Sequence, residues 1–397
     1  MMSTGSTTPF VPLKFIAEIV SGGTPKADSD NWNGDIPFIT PPDLNGLDGD
    51  VVSRWERTLT KDGTSGSSIT SDAVLLSCRA PIGHVGVVTS EVAFNQGCKS
   101  IVPQDADDLA YVAYCLVASR RALQALGRGT TFMELSTREL SNFSIPWPVF
   151  EDRCAIVRYL DRETGEIDAM LATLDELAET LRLRRVQAIQ SAVRSSRSIG
   201  IGLMLDVKLG KMLQTKPKSP TDRLQPYLRA AHIQPGGRLD LAIDTKEMYF
   251  SEYEAEALSL RAGDAVIVEG GAGFGRAAYL TEDMPGWGFQ NSIIRLRGVS
   301  ADTRYVVYAL QAALESGEIA MACNAATFAH FTAEKVEGFR IPYHGTDQHR
   351  RIADHLDEVT GRIDAMVAKV AELKALLVER RAALITDVVT GRKKIPS

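Results

Sequence analysis

The residues best suited to chemistry lie in a glycine-rich loop that follows the apolar run 266–268. Glu269 comes next, and the stretch 270–275, Gly-Gly-Ala-Gly-Phe-Gly, follows it. A strand, an acidic residue and closely spaced glycines are typical of nucleotide-like cofactor sites, because glycine lets the backbone approach the ligand. Taken alone, this loop predicts a site for S-adenosylmethionine.

Two observations count against a cofactor loop at this position. A loop of that kind opens a helix, but here the turn-like stretch 281–286 and another apolar stretch follow. The matching stretch in the first half of the chain, 75–84, keeps only its last glycine, so that Gly83 corresponds to Gly275. We therefore expect a loop that connects two strands of a hairpin.

Two further motifs resemble catalytic signatures only in part. The stretch 40–43, Thr-Pro-Pro-Asp, lacks the amide and the aromatic ring of the amino-methyltransferase motif, and its prolines favour a turn after a strand. Cys78 and His84 have the chemistry of a nucleophile and a base, but no third group orients them and the second half has no copy. No catalytic residue is predicted.

The cysteines and histidines predict neither a disulfide framework nor a metal site. The five cysteines form no CxxC motif and the six histidines no HExxH motif, so we expect reduced, mostly buried thiols. His344, His349 and His355 surround a predicted helix start, where solvated or capping roles are expected. The sequence has no apolar run near the roughly 20 residues of a bilayer span and no signal-peptide pattern at its start, which predicts a cytoplasmic protein without membrane contact.

The candidate binding residues are basic or polar side chains in loops near predicted strands. Arginine contacts guanine edges or phosphates through paired hydrogen bonds, and lysine neutralises phosphates. Because the net charge is −6, any affinity for nucleic acid must come from such local clusters or from a partner protein. An ordinary solvated surface is the alternative for the lysines. The candidates are Thr24, Lys26, Arg79, His84, Arg128 and Thr131 in the first half, and Lys216, Lys218, Arg223, Arg229, Arg276 and His330 in the second.

An internal repeat defines the elements that must position these loops. Residues 131–199 recur without a gap at 327–395, and every matched pair is 196 positions apart. Between residues 145 and 199, 20 of 55 pairs are identical, which indicates duplication. The heads before each repeat are less alike, although residues 73–77 correspond to 265–269 and residues 94–96 to 289–291.

Both copies of the repeat carry apolar residues at heptad spacing. Each run, 151–193 and 347–389, predicts a helix of roughly 65 Å, which is too long to cover one small domain, so we expect the two helices to pair. Antiparallel pairing is expected because the compact domain between them should have neighbouring termini. The predicted seam and partner interface consists of Leu160, Ile167, Met170, Leu174, Leu177 and Leu181, with Leu356, Ile363, Met366, Val370, Leu373 and Leu377.

These patterns predict an α+β fold with pseudo-two-fold duplicated halves. Two globular mixed α/β heads, residues 1–146 and 201–342, are joined by two long antiparallel coiled-coil helices within residues 147–200 and 343–397. One further helix is expected near the end of each head, over 108–126 and 302–316. The gapless match between the repeats indicates conserved helices that carry divergent heads.

The order of these segments resembles the DNA-specificity subunit of type I restriction-modification enzymes over essentially the whole chain. Each motif alone is weak, but their order and duplication are specific. The motifs are SGGTPK (21–26), GDIPFITPPDLNG (34–46), AVLLSCRAPIGHVGVV (73–88), FNQG (94–97), TTFMELSTRELSNFSIPWP (130–148), QPYLRAAHIQPGGRLDL (225–241), GEIDAM (165–170) and GRIDAM (361–366).

The resemblance implies a non-catalytic DNA-binding protein. Each head would be a target-recognition domain that reads one half of a split DNA site, while the helices set the spacer and bind two methyltransferase subunits. S-adenosylmethionine would be bound by those partners, and a restriction and translocase subunit is a further potential partner. Since the second head lacks the CRAPIG loop (78–83), the two heads should present different side chains. The alternatives are a methyltransferase that uses Glu269–Gly275 and a coiled-coil scaffold that does not bind DNA.

Overall fold

The computed structural model of the chain describes residues 8–127, 133–298, 301–323 and 330–396. The chain divides into two compact units. Unit 1 comprises Met1–Leu174 and Glu372–Ser397, and unit 2 comprises Asp175–Ala371. Each unit therefore contains one head together with parts of both long helices.

The elements up to the end of the first long helix alternate short strands with few helices. They are β1 (Phe10–Pro12), β2 (Ala17–Ser21), β3 (Trp32–Ile39), β4 (Arg57–Leu59), β5 (Ser68–Thr70), β6 (Ala73–Ser77), β7 (Val85–Val88), β8 (Val92–Phe94), β9 (Cys98–Pro103), α1 (Leu109–Ala118), α2 (Arg120–Leu126), α3 (Thr137–Asn142), β10 (Ser144–Pro146) and α4 (Phe150–Val193).

The remaining elements follow a similar order. They are β11 (Ser198–Gly200), β12 (Leu205–Leu209), β13 (Arg223–Leu228), β14 (Ile233–Gln234), β15 (Arg238–Leu239), β16 (Lys246–Phe250), α5 (Glu252–Ala257), β17 (Ala265–Val268), β18 (Ala277–Tyr279), β19 (Gly288–Phe289), β20 (Ile293–Gly298), α6 (Thr303–Glu315), α7 (Glu318–Ala322), α8 (Ala333–Gly338), β21 (Arg340–Pro342) and α9 (Thr346–Val389).

The head of unit 1 is built on two four-stranded sheets. The first sheet has the order β2-β9-β6-β7 and is antiparallel throughout, whereas the second, β4-β3-β8-β5, contains one parallel pair, β3 with β8. Every residue of the central strand β6 and of the edge strand β7 is buried, so the sheet is covered on both faces here. One core lies between the first sheet and the helices, and a smaller one includes Ile39, Leu75 and Phe94.

The head of unit 2 repeats this strand order. Its four-stranded sheet is β12-β20-β17-β18, and the strands β16-β13-β19 form the second sheet, again with one parallel pair. The two-stranded ladder β11-β21 corresponds to β1-β10 of unit 1, with the same antiparallel pairing. The predicted duplication of the heads is therefore confirmed at the level of strand order, although their sequences have diverged.

Two helices of 44 residues each, α4 and α9, confirm the predicted long helices to within one residue at their ends. In unit 1, Lys393 lies over the Tyr159 ring and Arg381 pairs with Asp168. Residue numbers therefore rise along α4 where they fall along α9. In unit 2, Arg185 of α4 pairs with Asp364 of α9. The pairing is antiparallel, as predicted.

The most exact matches between the repeats attach each head to the helix that follows it. In unit 1, the Tyr114 hydroxyl donates to Asp161 at 2.7 Å, and the Thr164 hydroxyl donates to the carbonyl of Leu160 at 2.8 Å. In unit 2, Tyr308 donates to Asp357 at 2.7 Å and lies 3.1 Å from the Thr360 hydroxyl. Hydrogen bonding at a buried head-helix junction explains why these residues are repeated.

A largely buried arginine side chain joins each head to a second long helix, in addition to the helix that follows the head. In unit 1, Arg381 of α9 donates to Asp50 at 2.9 Å and lies 3.3 Å from Asp168. In unit 2, Arg185 of α4 donates to Asp364 at 3.0 Å and to the carbonyl of Gly236 at 2.8 Å. These arginines occupy matching positions of the repeat, so each head is held by both long helices.

Of the three histidines near the start of α9, His349 differs from the expectation of solvated or capping roles. His349 is fully buried, and its ring stacks on Tyr305 with 3.9 Å between ring centroids. His344 lies 3.1 Å from the carbonyl of Val193, whereas His355 is exposed. His349 is buried because it takes the position that Arg153 holds in unit 1, under the end of the head.

The cysteines agree with the sequence analysis, since all five are free thiols and only Cys154 is not fully buried. Burial raises the pKa of the Cys78 and Cys115 thiols to about 12, so both remain protonated at neutral pH. Within the described ranges, no helix is long and apolar enough to span a bilayer.

Candidate nucleic-acid interface

Four segments of unit 1 meet at one end of its first sheet, β2-β9-β6-β7, where β2 and β6 end and β9 begins. We call residues 21–26, 78–83, 94–98 and 133–137 the loop end of unit 1. Main-chain hydrogen bonds join them: Gly22 N to Cys98 O at 3.1 Å, Cys78 N to Gly97 O at 2.7 Å, and Leu135 N to Cys78 O at 2.9 Å. The backbone of this end is thus fixed whatever side chains it carries.

Unit 2 builds the same arrangement from residues 209–214, 269–275, 289–293 and 330–332, which we call the loop end of unit 2. Its main-chain bonds are equivalent: Gly210 N to Ile293 O at 3.0 Å, Glu269 N to Ser292 O at 2.9 Å, and Phe331 N to Glu269 O at 2.8 Å. A Cβ atom on either Gly22 or Gly210 would lie about 2 Å from a carbonyl oxygen. Both positions therefore require glycine.

The structure brings three of the predicted binding residues to the loop end of unit 1. Thr24 and Lys26 are exposed, and Arg79 is half-buried, with its Nε 3.1 Å from a carboxylate oxygen of Glu134. His84 is half-buried at the base of the loop, and burial followed by the charge of Arg120 lowers its pKa. Arg128 and Thr131 lie outside the described residues.

Two polar residues of this loop end were missed by the sequence analysis. Glu134 holds Arg79, and Lys99 lies buried beneath the loops with its Nζ 3.2 Å from the Ser21 hydroxyl. The sequence did contain a sign of the role of Lys99: lysine is rarely buried, and this one lies within the mainly apolar strand β9. Nothing local in the sequence indicates the pairing of Arg79 with Glu134.

The predicted residues of unit 2 are more dispersed. Lys216, Lys218 and Arg223 are exposed on or after the segment that follows Gln214. Arg229 is half-buried and donates to the carbonyl of Asp244 at 2.5 Å, which makes it a tie between two segments of the head.

His330 is the predicted residue that belongs to the loop end of unit 2. It is exposed, and its ring lies against Gly270, where an added Cβ atom would be 2.8 Å from Nδ1. In the repeat with its spacing of 196 residues, His330 is the residue that matches Glu134 of unit 1.

Arg79 and Arg276 do not occupy equivalent positions, although both follow matching strands. The hydrogen-bond pattern aligns Ser77 with Val268, a shift of one residue from the sequence match of 73–77 with 265–269. Because the loop of unit 2 is one residue longer, Arg79 corresponds to Gly270 and His84 corresponds to Arg276.

Arg276 is directed to another part of unit 2. It leaves the loop after Gly275, whose φ of +74° reverses the chain into β18. With Arg185, Gly236 and Gln311, it lines a cavity of about 210 Å³. Its position therefore separates it from the side chains that the loop end presents.

The glycine-rich loop 269–275 joins two antiparallel strands, β17 and β18, which confirms the hairpin interpretation. Only a short 3-10 turn, Gly271–Gly273, lies within it. An added Cβ atom at Gly275 would lie 2.9 Å from Leu314, so packing against the head accounts for this glycine. Residues 40–43 likewise form a turn after β3, in which Asp43 accepts from the Thr40 backbone at 2.8 Å.

The predicted seam residues fall into two columns on the long helices. The buried column comprises Leu160, Ile167, Leu181, Leu356, Val370 and Leu377, and Leu174 and Ile363 are half-buried. The second column, Met170, Leu177, Met366 and Leu373, is about half exposed. Two helices bury one stripe between them and leave the second stripe of each accessible.

Comparison with known proteins gives a consistent assignment. Residues 7–179 match the family model of the type I restriction modification DNA specificity domain. The head of unit 1 and the first part of α4 are therefore similar to this family of DNA specificity domains. Unit 2 repeats the strand order and loop-end hydrogen bonds of unit 1, so the likeness extends to the second half of the fold.

Two curated relatives come from Methanocaldococcus jannaschii. The type I restriction enzyme MjaIX specificity subunit is 33% identical over 154 residues, which cover 37% of this chain and 36% of that protein. The putative type I restriction enzyme MjaX specificity subunit is 23% identical over 173 residues, covering 43% of this chain and 36% of that protein. The matched stretches thus span about a third of the length of these relatives.

Solved structures share the fold along nearly the whole chain. A chain from a structure describing complex assembly and conformational transition of the type I R-M system has a TM-score of 0.72 at 16% identity, covering 97% of this chain and 98% of that one. The HsdS subunit from Thermoanaerobacter tengcongensis has a TM-score of 0.50 at 15% identity, with 97% of each chain covered.

Proposed function

We propose that this chain is the sequence-specific DNA-binding subunit of a type I restriction-modification complex. The observation that carries the proposal is the pair of loop ends, which share one main-chain framework but present different side chains. Such a pair suits the recognition of two different short half-sites, with a common scaffold and separate base contacts. The heads, residues 1–146 and 201–342, would act as the two target-recognition domains.

The helical segments, residues 147–200 and 343–397, would set the length of the DNA spacer between the two half-sites. They would also bind two methyltransferase subunits. The exposed apolar column on each helix supports this assignment, because apolar residues at heptad spacing are suited to packing against another protein. A restriction and translocase subunit is a further partner in this proposal. S-adenosylmethionine and catalysis would belong to the methyltransferase partners, and the complex would work in the cytoplasm.

The acidic charge of the chain fits a division of labour between subunits. With a net charge of −6, the chain supplies base contacts, and partner subunits supply much of the phosphate neutralisation. Among the predicted contacts, Thr24, Lys26, Arg79 and His330 have the strongest support, because they lie at the loop ends.

Methylation mapping tests the proposal. The chain would be expressed with the methyltransferase subunits of its source in a host that lacks them, and modified bases would be mapped across the host genome. We expect a split motif with two unlike halves and a fixed spacer. Methylation without this chain, or methyl transfer by the purified chain alone, would contradict the proposal.

A further inference from the structure

The loop end of unit 2 presents two adjacent apolar side chains to solvent. Met212 is 76% exposed and Leu213 is 52% exposed. Isolated apolar residues are common on protein surfaces, but an adjacent pair at the end of a strand is a costly arrangement unless a partner covers it.

The backbone on both sides of this pair is anchored. Before it, Lys211 donates its main-chain N–H to Phe289 at 3.2 Å, and its ammonium group is bound by Glu254 at 2.5 Å and by the carbonyl of Tyr249 at 3.0 Å. After it, the carbonyl of Gln214 accepts from Tyr249 at 2.9 Å. The pair is therefore held outward on a fixed backbone, which lowers the entropic cost of binding.

The pair stands where unit 1 carries a predicted DNA contact. Because Gly22 and Gly210 make equivalent hydrogen bonds, Thr24 corresponds to Met212 and Pro25 corresponds to Leu213. Pro25 is buried, so only unit 2 offers two apolar side chains at this place.

The charges around the pair match a surface that meets DNA. Lys208 lies before it, and Lys216 and Lys218 follow it, all three exposed. An apolar centre with cations at its margin corresponds to base contacts flanked by phosphate contacts. In the major groove, the apolar feature of a base edge is the 5-methyl group of thymine.

We propose that Met212 and Leu213 contact the 5-methyl groups of thymine in the half-site read by unit 2. This inference rests on the proposed function and extends it, because it assigns one base type to one loop. The contact is made by apolar packing, so it distinguishes thymine from uracil, which differs only in lacking that methyl group.

The test uses the full-length chain assembled with the methyltransferase subunits of its source. The recognised motif is first selected from double-stranded oligonucleotides with a randomised centre. Each thymine of the motif is then replaced by uracil, and affinities are measured by gel shift. We expect about fourfold weaker binding for each contacted methyl group that is removed, in one half-site only.

The double variant Met212→Ser/Leu213→Ser should bind thymine and uracil versions of that half-site equally, while the other half-site is unaffected. Leu203→Ser is the matched control, because Leu203 is 77% exposed just before the opposite end of β12. It should keep the uracil effect, as should Met212→Leu.

Three results overturn the inference: a motif without thymine in either half, uracil substitution that changes nothing, or a uracil effect that survives in the double variant. Apolar insertion between base pairs would give the second result. Failure of the proposed function is distinguishable from all three, because the unmodified assembly would then select no sequence at all.

Discussion

Arg79 shows how a single side chain can be prepared for recognition. Its Nε is held by Glu134, which leaves the two terminal nitrogens as further donors. A guanidinium group fixed in this way loses less freedom when it binds a base edge. Sequence analysis identified the arginine but not the carboxylate, because their proximity depends on the tertiary fold.

We predict that Arg79→Ala weakens binding to the half-site of unit 1 by roughly 1–3 kcal/mol, with no effect on the other half-site. Arg121→Ala is the control, since Arg121 is exposed on α2 of the same head. Binding to DNA with single base changes in each half-site checks this. An equal loss on all sequences would assign Arg79 to a phosphate.

His349 gives the stability of unit 2 a dependence on pH. Burial, and then the neighbouring His344, lowers its pKa to about 4, against about 6.5 in an unfolded chain. Between these values the unfolded chain binds one more proton than the folded chain, so acidification destabilises the fold. The Nε2 atom of His349 accepts from the backbone N–H of His344 at 3.2 Å, so protonation of Nε2 would break this hydrogen bond. The buried Nδ1 atom has no hydrogen-bond partner in the described residues.

We predict that the free energy of unfolding of unit 2 falls by up to about 3 kcal/mol between pH 6.5 and pH 4 through this group. His349→Gln should flatten the curve in that range, whereas His355→Gln, at an exposed position, should not. Denaturant titrations across pH provide the measurement. Parallel curves for the chain and the His349→Gln variant would show that another group titrates.

At the scale of elements, the sequence predicted α4 and α9 almost to the residue, because a gapless repeat with heptad spacing constrains a helix strongly. The strands of the heads were less well defined. The one-residue shift between Ser77 and Val268 became evident only from hydrogen-bond register, since both strands are mainly apolar and fully buried. The exposure of Met170 and Leu373 also could not be predicted, because heptad spacing does not show which column faces a partner.

We predict that Arg381→Met lowers the free energy of unfolding of unit 1 by about 1–2 kcal/mol, because Asp50 and Asp168 lose their charged partner. Arg380→Met is the matched control: it changes the neighbouring arginine, which is exposed, and should cost less than about 0.5 kcal/mol. Thermal denaturation distinguishes the two variants. If both lose the same stability, the tie between the head and α9 contributes little.

For the whole molecule, the proposed spacer role of the helices is open to a direct test. Seven residues inserted after Ala178 and seven after Lys374 preserve the heptad register and lengthen a helix pair by roughly 10 Å, or around three base pairs of DNA. We predict unchanged half-sites and a longer spacer, since both loop ends stay intact. Insertion in one helix alone should destabilise the pair.

Mapping of methylated motifs for the doubly extended variant checks this prediction. The DNA twist that accompanies a longer spacer should weaken binding, so the number of modified sites should fall as well. Altered half-sites with an unaltered spacer would contradict the proposed role of the helices.

The main-chain hydrogen bonds at the loop ends also bear on how this protein can change over evolutionary time. Because backbone atoms hold segments such as 21–23 and 209–211 in place, most side chains there are free to mutate without unfolding the head. The crowded glycines Gly22 and Gly210 resist replacement. Under the proposed function, single substitutions at positions such as 24 and 212 would create new target sequences, so the sequence that is recognised could change while the fold is kept.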